Sequence, residues 1–257
     1  VELKTKRFFL EIAYQGTAYH GWQIQHNAVS VQEKLNDVLK TLLRKDIETI
    51  GAGRTDTGVH ARQLFVHFDA IPEGLLLQPD KFVHSLNALL PHDIAVYRLL
   101  PVDDQAHARF DATSRSYEYH LHFKKDPFLI NASWLTRDIP DVVKMNEACQ
   151  YLLGRQDFEC FSKSNTQVFT NFCDISRAEW LWNTDDHLVF HISADRFLRN
   201  MVRAIVGTLL EIGLKGKEPV YIQEVIASKS RSKAGTSVPA HGLYLTEVVY
   251  PYISKRK

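Results

Sequence analysis

The sequence predicts an α+β fold made of two similar α/β halves. Three observations point there. Short alternating apolar segments recur between amphipathic helical stretches. Strand-like and helix-like segments are interleaved along all 257 residues. The first half also has an echo in the second: strand, helix, Ala52-Gly53, a threonine-containing loop, His60 and a strand, against strand, two helices, Ala234-Gly235, a threonine-containing loop, His241 and a strand.

In order, Arg7–Tyr14 reads as a strand, with Phe8, Leu10, Ile12 and Tyr14 on one face. Gly16 and Gly21 punctuate the segment after it. Ser30 precedes a helix whose Val31, Leu35, Val38, Leu39 and Leu42 share a face. A polar loop covers Gly51–Gly58. Gln63–Ala70 is a strand, Pro79–Leu90 a helix and Ile94–Val102 a strand. Arg115–Lys124 alternates through Tyr117, Tyr119, Leu121 and Phe123. Pro140–Leu153 is a helix closed by Gly154, with strands at Arg177–Trp182 and His187–Ser193. Phe197–Ile212 is a long helix ended by Gly213, Pro219 opens a short one, and Leu243–Tyr250 is the last strand. The boundary is expected near residue 105, giving a half at 1–104 that carries the Gly51–Gly58 loop and a half at 105–257. The loops of the two halves are expected to meet at one cleft, since such junctions favour ligand sites.

Composition narrows the function. Hydrophobic residues make up 45% and charged residues 24%, as in ordinary globular chains. A formal net charge of +1 neither demands nor excludes nucleic acid, because an RNA binder needs a basic face and not a basic average. Three cysteines, with no C-x-x-C, argue against a disulfide framework or a zinc site and for a reducing cytoplasm. The twelve histidines lack metal-site spacing, so no metal is expected. Neither a membrane span nor a signal peptide is expected.

The segment Gly51-Ala-Gly-Arg-Thr-Asp-Thr-Gly-Val-His60 is the most informative. Its glycines allow close backbone approach to a ligand. In extended backbone Arg54 and Asp56 share one side, where the cation favours an ionised carboxylate and can itself grip a phosphate. Thr-Asp-Thr-Gly is also an ordinary Asx-turn sequence. An aspartic-protease reading of Asp56-Thr57-Gly58 fails for want of a second D-T-G, and a P-loop reading for want of G-K-[ST].

Gly53–Ala61 resembles the signature of the tRNA pseudouridine synthase A (TruA) family. So do Tyr14-Gln-Gly-Thr-Ala-Tyr-His-Gly-Trp-Gln23, Val31-Gln32, Ala108-Arg-Phe-Asp-Ala112 with Arg115-Ser-Tyr-Glu-Tyr119, Phe197-Leu-Arg-Asn-Met-Val-Arg203 with Ile205-Val-Gly207, and Pro239-Ala-His-Gly-Leu-Tyr-Leu245. The blocks follow family order over nearly the whole chain. The resemblance implies the pseudouridine synthase fold: two α/β halves with largely antiparallel sheets joined side by side and an active-site cleft between them. It implies a cytoplasmic homodimer, without cofactor, that isomerises uridine in the tRNA anticodon stem-loop at tRNA positions 38 to 40. Asp56 is then the essential carboxylate, Tyr117 the active-site tyrosine, Arg203 a partner of the aspartate and Leu243 an apolar wall for the uracil. Arg54 helps to extrude the target nucleotide, and Thr55 and His60 join the substrate-binding set. Asp56 could attack C6 of uracil or C1′ of the ribose, or assist loss of a ribose proton.

Basic residues outside the loop supply phosphate contacts in this reading: Arg44, Lys45, Lys163, Lys229, Arg231 and Lys233, with Arg196 and Arg199 on a solvated helix face. Thr166–Ile175 is less basic than the family pattern, and the tail Lys255–Lys257 is expected to be disordered. A non-catalytic RNA-binding module on the same scaffold is the competing reading.

Overall fold

The computed structural model describes residues 4–163, 170–254 and 256. The chain divides into two compact units, Val1–Thr113 with Leu245–Lys257, and Ser114–Tyr244. The expectation for Thr166–Ile175 therefore falls partly outside the described residues, as do Lys255 and Lys257.

In the first unit, β1 (Lys6–Tyr14) pairs antiparallel with β3 (His60–Ala70) on one side and with β4 (Ile94–Pro101) on the other. A two-residue strand, β2 (Ile50–Gly51), also pairs with β3. The alternation that marked β1 as a strand understates its burial. Phe9 and Glu11, on the opposite face from Phe8 and Leu10, are buried too. The rings of Tyr250 and Tyr252 lie against Phe9, so this stretch of the strand is covered on both faces.

Glu11 is tolerated there because Arg98 Nε donates to it at 2.5 Å and Gln63 Nε2 at 2.9 Å. α1 (Val31–Leu43) begins with a full capping box between Ser30 and Glu33 and buries Val31, Leu35 and Leu39. A short α2 (Glu73–Leu77) leads into α3 (Pro79–Leu89), which packs on β4. The segment from Leu245 onward is tied back to this unit by Val248 N–H donating to Gln63 Oε1 at 2.8 Å.

In the second unit, β5 (Ser114–His122) pairs parallel with β6 (Trp134–Leu135) and antiparallel with β9 (His187–Ala194). Beyond β9 come β8 (Phe172–Thr184) and β7 (Gly154–Asp157). α4 (Val142–Gln150) and α5 (Met201–Lys215) pack together, and α6 (Tyr221–Ser228) follows. β10 (Leu243–Val249) starts in this unit and ends in the other.

One detail recurs in both units. In each, a helical asparagine clasps both backbone groups of one strand residue. Asn87 of α3 holds Val96 (2.8 and 2.7 Å), and Asn146 of α4 holds Trp180 (3.0 and 2.7 Å).

The expected helix Phe197–Ile212 is corrected at both ends. Asn200 sits at φ +67°, a left-handed conformation, so the helix opens only at Met201. Arg196 and Arg199 precede it and do not share a helical face with Arg203. At the other end α5 runs through Gly213 to Lys215, with Gly216 as the left-handed cap. Gly213 serves packing: a Cβ there would lie 2.9 Å from Pro140 and 3.0 Å from Met145.

Candidate active site

The Asp56 loop connects β2 to β3 and is held by the segment between β1 and α1. Thr55 O accepts from Trp22 N–H at 3.4 Å, and Tyr19 O accepts from Gly58 N–H at 3.3 Å. Asp56 O accepts from Val59 N–H at 3.1 Å, which closes the turn behind the carboxylate. Tyr14 and Thr55 share a hydroxyl–hydroxyl hydrogen bond of 2.8 Å. His60 is buried, with Nδ1 accepting from Gly16 N–H at 2.9 Å.

Two glycines are required by this fit. A Cβ on Gly16 would lie 2.0 Å from Val59 O. Gly21, at φ +87°, has only 2.3 Å to Thr55 O. On this base Arg54 is exposed and Thr55 and Asp56 are half-buried. The structure thus places Arg54, Thr55 and Asp56 in one loop, with His60 at the start of β3 turned inward as a structural acceptor. Tyr14, Gly16, Tyr19 and Gly21 are the supporting residues whose part the sequence alone did not give. The glycine and aromatic positions of the Tyr14–Gln23 block were the available signal.

The second unit carries Tyr117, Arg203 and Leu243. Tyr117 lies half-buried on β5 opposite Ile192, its ring edge-on to Phe197 at 5.1 Å. Leu243 is buried at the start of β10. Arg203, in the first turn of α5, is locked to Val238: its Nε donates to Val238 O at 2.7 Å, and its carbonyl accepts from Val238 N–H at 3.2 Å. The guanidinium plane is thereby fixed before any ligand arrives.

The 234–242 segment is itself braced. Gly235 N–H donates to Thr208 Oγ1 at 2.8 Å, and Asn200 Nδ2 donates to Ser237 Oγ at 2.7 Å. Arg231 reaches Ala234 O, Gly235 O and Ser237 Oγ at 3.3, 3.1 and 2.8 Å, so its guanidinium serves the loop. Tyr119 donates to Pro239 O at 2.8 Å, and burial pushes its hydroxyl pKa far up, so it stays a donor. Lys229 faces Asp157 at 3.1 Å.

Among the described residues no group of three or more His, Cys, Asp or Glu side chains could hold a metal ion. The three cysteines are buried, and desolvation raises each thiol well above its usual pKa, which leaves them inert.

Comparison with known proteins decides the family. Over 250 residues the chain is 51% identical to the tRNA pseudouridine synthase A of Bacteroides fragilis, covering 97% of this chain and 98% of the relative. The chain belongs to the tRNA pseudouridine synthase A family. The protein of that name from Porphyromonas gingivalis is 47% identical (95% of this chain, 97% of the relative). That from Francisella tularensis subsp. novicida is 38% identical (98% and 97%). A family model described as tRNA pseudouridine synthase matches residues 148–251, a span that includes Arg203 and Leu243. A tRNA pseudouridine synthase A has to hold a uracil through its detachment and reattachment. Within its own unit each of the two loops is braced by close glycine contacts and hydrogen bonds.

Proposed function

We propose that this chain isomerises uridine to pseudouridine in tRNA with Asp56 as the essential carboxylate. The reaction breaks the bond between uracil N1 and ribose C1′, turns the base and joins C5 to C1′. C5 gives up a proton and N1 gains one, so atoms and electrons balance without a co-reactant. Membership of the synthase family supports the reaction. The fixed Thr55–Val59 turn supports Asp56, because a carboxylate on a rigid loop can be aimed at one atom of a substrate.

In this reading Asp56 attacks C6 or C1′ or assists loss of a ribose proton, and each route uses one negative oxygen at a set place. Tyr117 offers a ring for stacking and a hydroxyl for proton transfer. Arg203, held by Val238, supplies a fixed positive charge, and Leu243 an apolar wall. Arg54, exposed beside Asp56, fills the space of an extruded nucleotide, with Thr55 and His60 holding its base of support. Unstacking the target costs a few kcal/mol, offset by stacking and phosphate contacts. We further assign the substrate region to the anticodon stem-loop, at tRNA positions 38 to 40, the assembly to a homodimer and the location to the cytoplasm. The ordered blocks named above support each of these. No helix among the described residues is long and apolar enough to cross a membrane.

The test is tritium release from uridine-labelled, unmodified tRNA transcript. Wild type is expected to release tritium. Asp56→Asn is expected to bind the transcript and lose turnover by on the order of 10²–10⁴-fold or more. Turnover by Asp56→Asn within ten-fold of wild type would remove the aspartate from its role. A wild type that binds but never releases tritium would favour the non-catalytic RNA-binding module.

A further inference from the structure

The turn at residues 106–112, on the first unit, has no part in the mechanism above, yet hydrogen bonds from several side chains hold it. Ala108 N–H donates to His67 Nδ1 at 3.1 Å, and Ala108 O accepts from the Tyr250 hydroxyl. His107 N–H donates to Asp111 Oδ2 at 2.8 Å, and the same oxygen accepts from the Tyr252 hydroxyl at 2.7 Å. His107 Nδ1 accepts from the N–H groups of Arg109 and Phe110 at 3.1 and 3.3 Å. Arg7 Nη1 donates to Ala106 O at 3.0 Å while its other nitrogens hold Asp69.

All this bonding displays a phenylalanine that it does not bury. Phe110 is 73% exposed. The His107 ring backs it at 4.3 Å between centroids, and the Arg109 guanidinium lies 5.6 Å from its ring centre. The contrast with Phe128 is informative. That residue is 91% exposed, but among the described residues it has neither an aromatic ring nor a guanidinium beside it. A surface aromatic with a cation at its side, on a backbone that cannot move away, matches the platforms on which unpaired nucleobases stack. A nucleobase brings a phosphate with it, and a guanidinium beside the ring can pair with that phosphate.

We propose that Phe110 is a stacking platform for one unpaired nucleobase of the tRNA substrate, with Arg109 beside it for the adjoining phosphate. The proposal rests on the reading of the chain as a tRNA enzyme and adds a second place at which it grips the RNA. Its test is the binding of an unmodified tRNA transcript to wild type, Phe110→Ala and Phe110→Trp. The same proteins are then measured on transcripts in which each unpaired nucleotide in turn is made abasic.

Phe110→Ala is expected to weaken binding by roughly 5- to 150-fold, the loss of one stacked base, and Phe110→Trp to restore it. One abasic position should abolish the difference between wild type and Phe110→Ala. Thermal melting of both variants should match wild type, since the side chain is exposed. Unchanged binding by Phe110→Ala overturns the platform, and so does a loss that every abasic transcript shares. A variant that changes self-association while leaving RNA affinity intact assigns the ring to a protein interface and overturns it too. A wild type that does not bind the transcript at all sinks the tRNA reading itself, a different failure from these.

Discussion

The Gly51–His60 loop and the Ala234–His241 loop share an order of residues but are stiffened by different means. The first is held from outside, by backbone groups of the segment between β1 and α1 and by the hydroxyl of Tyr14. The second is held largely by side chains, those of Thr208, Asn200, Arg203 and Arg231. Glycine is decisive in both, since Gly21 touches Thr55 O and Gly207 touches Thr236 O with no room for a Cβ (2.3 and 1.9 Å). The first loop is thus braced mainly through backbone groups, with the Thr55 hydroxyl and the His60 ring as its side-chain links. A side-chain-braced loop has already committed its charges to structure. Asp56 lies on the first loop, and Arg231, just before the second, braces it.

The largest effects that would break this comparison come from the glycines. Gly21→Ala combines a left-handed backbone with a backbone clash and is expected to destabilise by about 4 kcal/mol. Gly207→Ala meets only the clash, within a helix that otherwise favours alanine, and is expected to cost about 3 kcal/mol. Urea titration measures both. If Gly207→Ala were neutral, the second loop could drift from α5 and its stiffness would be illusory.

A middle-sized effect separates structure from RNA binding. Arg231→Gln removes the guanidinium from three loop acceptors and is expected to lower stability by about 2 kcal/mol, or ~4–8 °C in melting temperature. The slope of log binding constant against log salt for tRNA should stay as in wild type. A phosphate-contacting arginine would lower that slope by about 1 on removal. A drop in slope with no thermal change would return Arg231 to the RNA face.

Much of the architecture was legible because its strands and helices carry period-two and period-3.6 patterns. Ser30 before an apolar stripe marked the start of α1, and the Tyr119–Leu121 alternation marked β5. β7, with the sequence Gly-Arg-Gln-Asp, was not legible, because a short polar edge strand has no apolar period to read. The start of α5 was misread because Asn200 breaks the helix through its conformation and not through its composition. Gly213 looked like a helix stop because its reason for being small, Pro140 and Met145, is distant in sequence. Asp56, Tyr117, Arg203 and Leu243 were named from ordered sequence blocks. Local physics alone would have made the first an Asx turn and the other three a core or solvated face. The bracing by Gly16 and Gly21 depends on tertiary partners and so lay beyond any local pattern.

The smallest expected effect sharpens the comparison most finely. Tyr14→Phe keeps the buried ring and removes the hydroxyl shared with Thr55, the residue that immediately precedes Asp56. A single neutral hydrogen bond contributes about 1 kcal/mol, and the half-buried Thr55 hydroxyl can recover part of that from water, so the stability loss should be ~1 kcal/mol or less. If this bond aims the carboxylate, turnover should fall several-fold while tRNA affinity holds, because a small misplacement acts on the reacting atoms and not on binding. Thr55→Val removes the same bond from the other side, so the double variant should be no worse than either single one. Additive losses in that cycle would mean that the two hydroxyls act apart, and the backbone contacts alone would then be holding Asp56 in place.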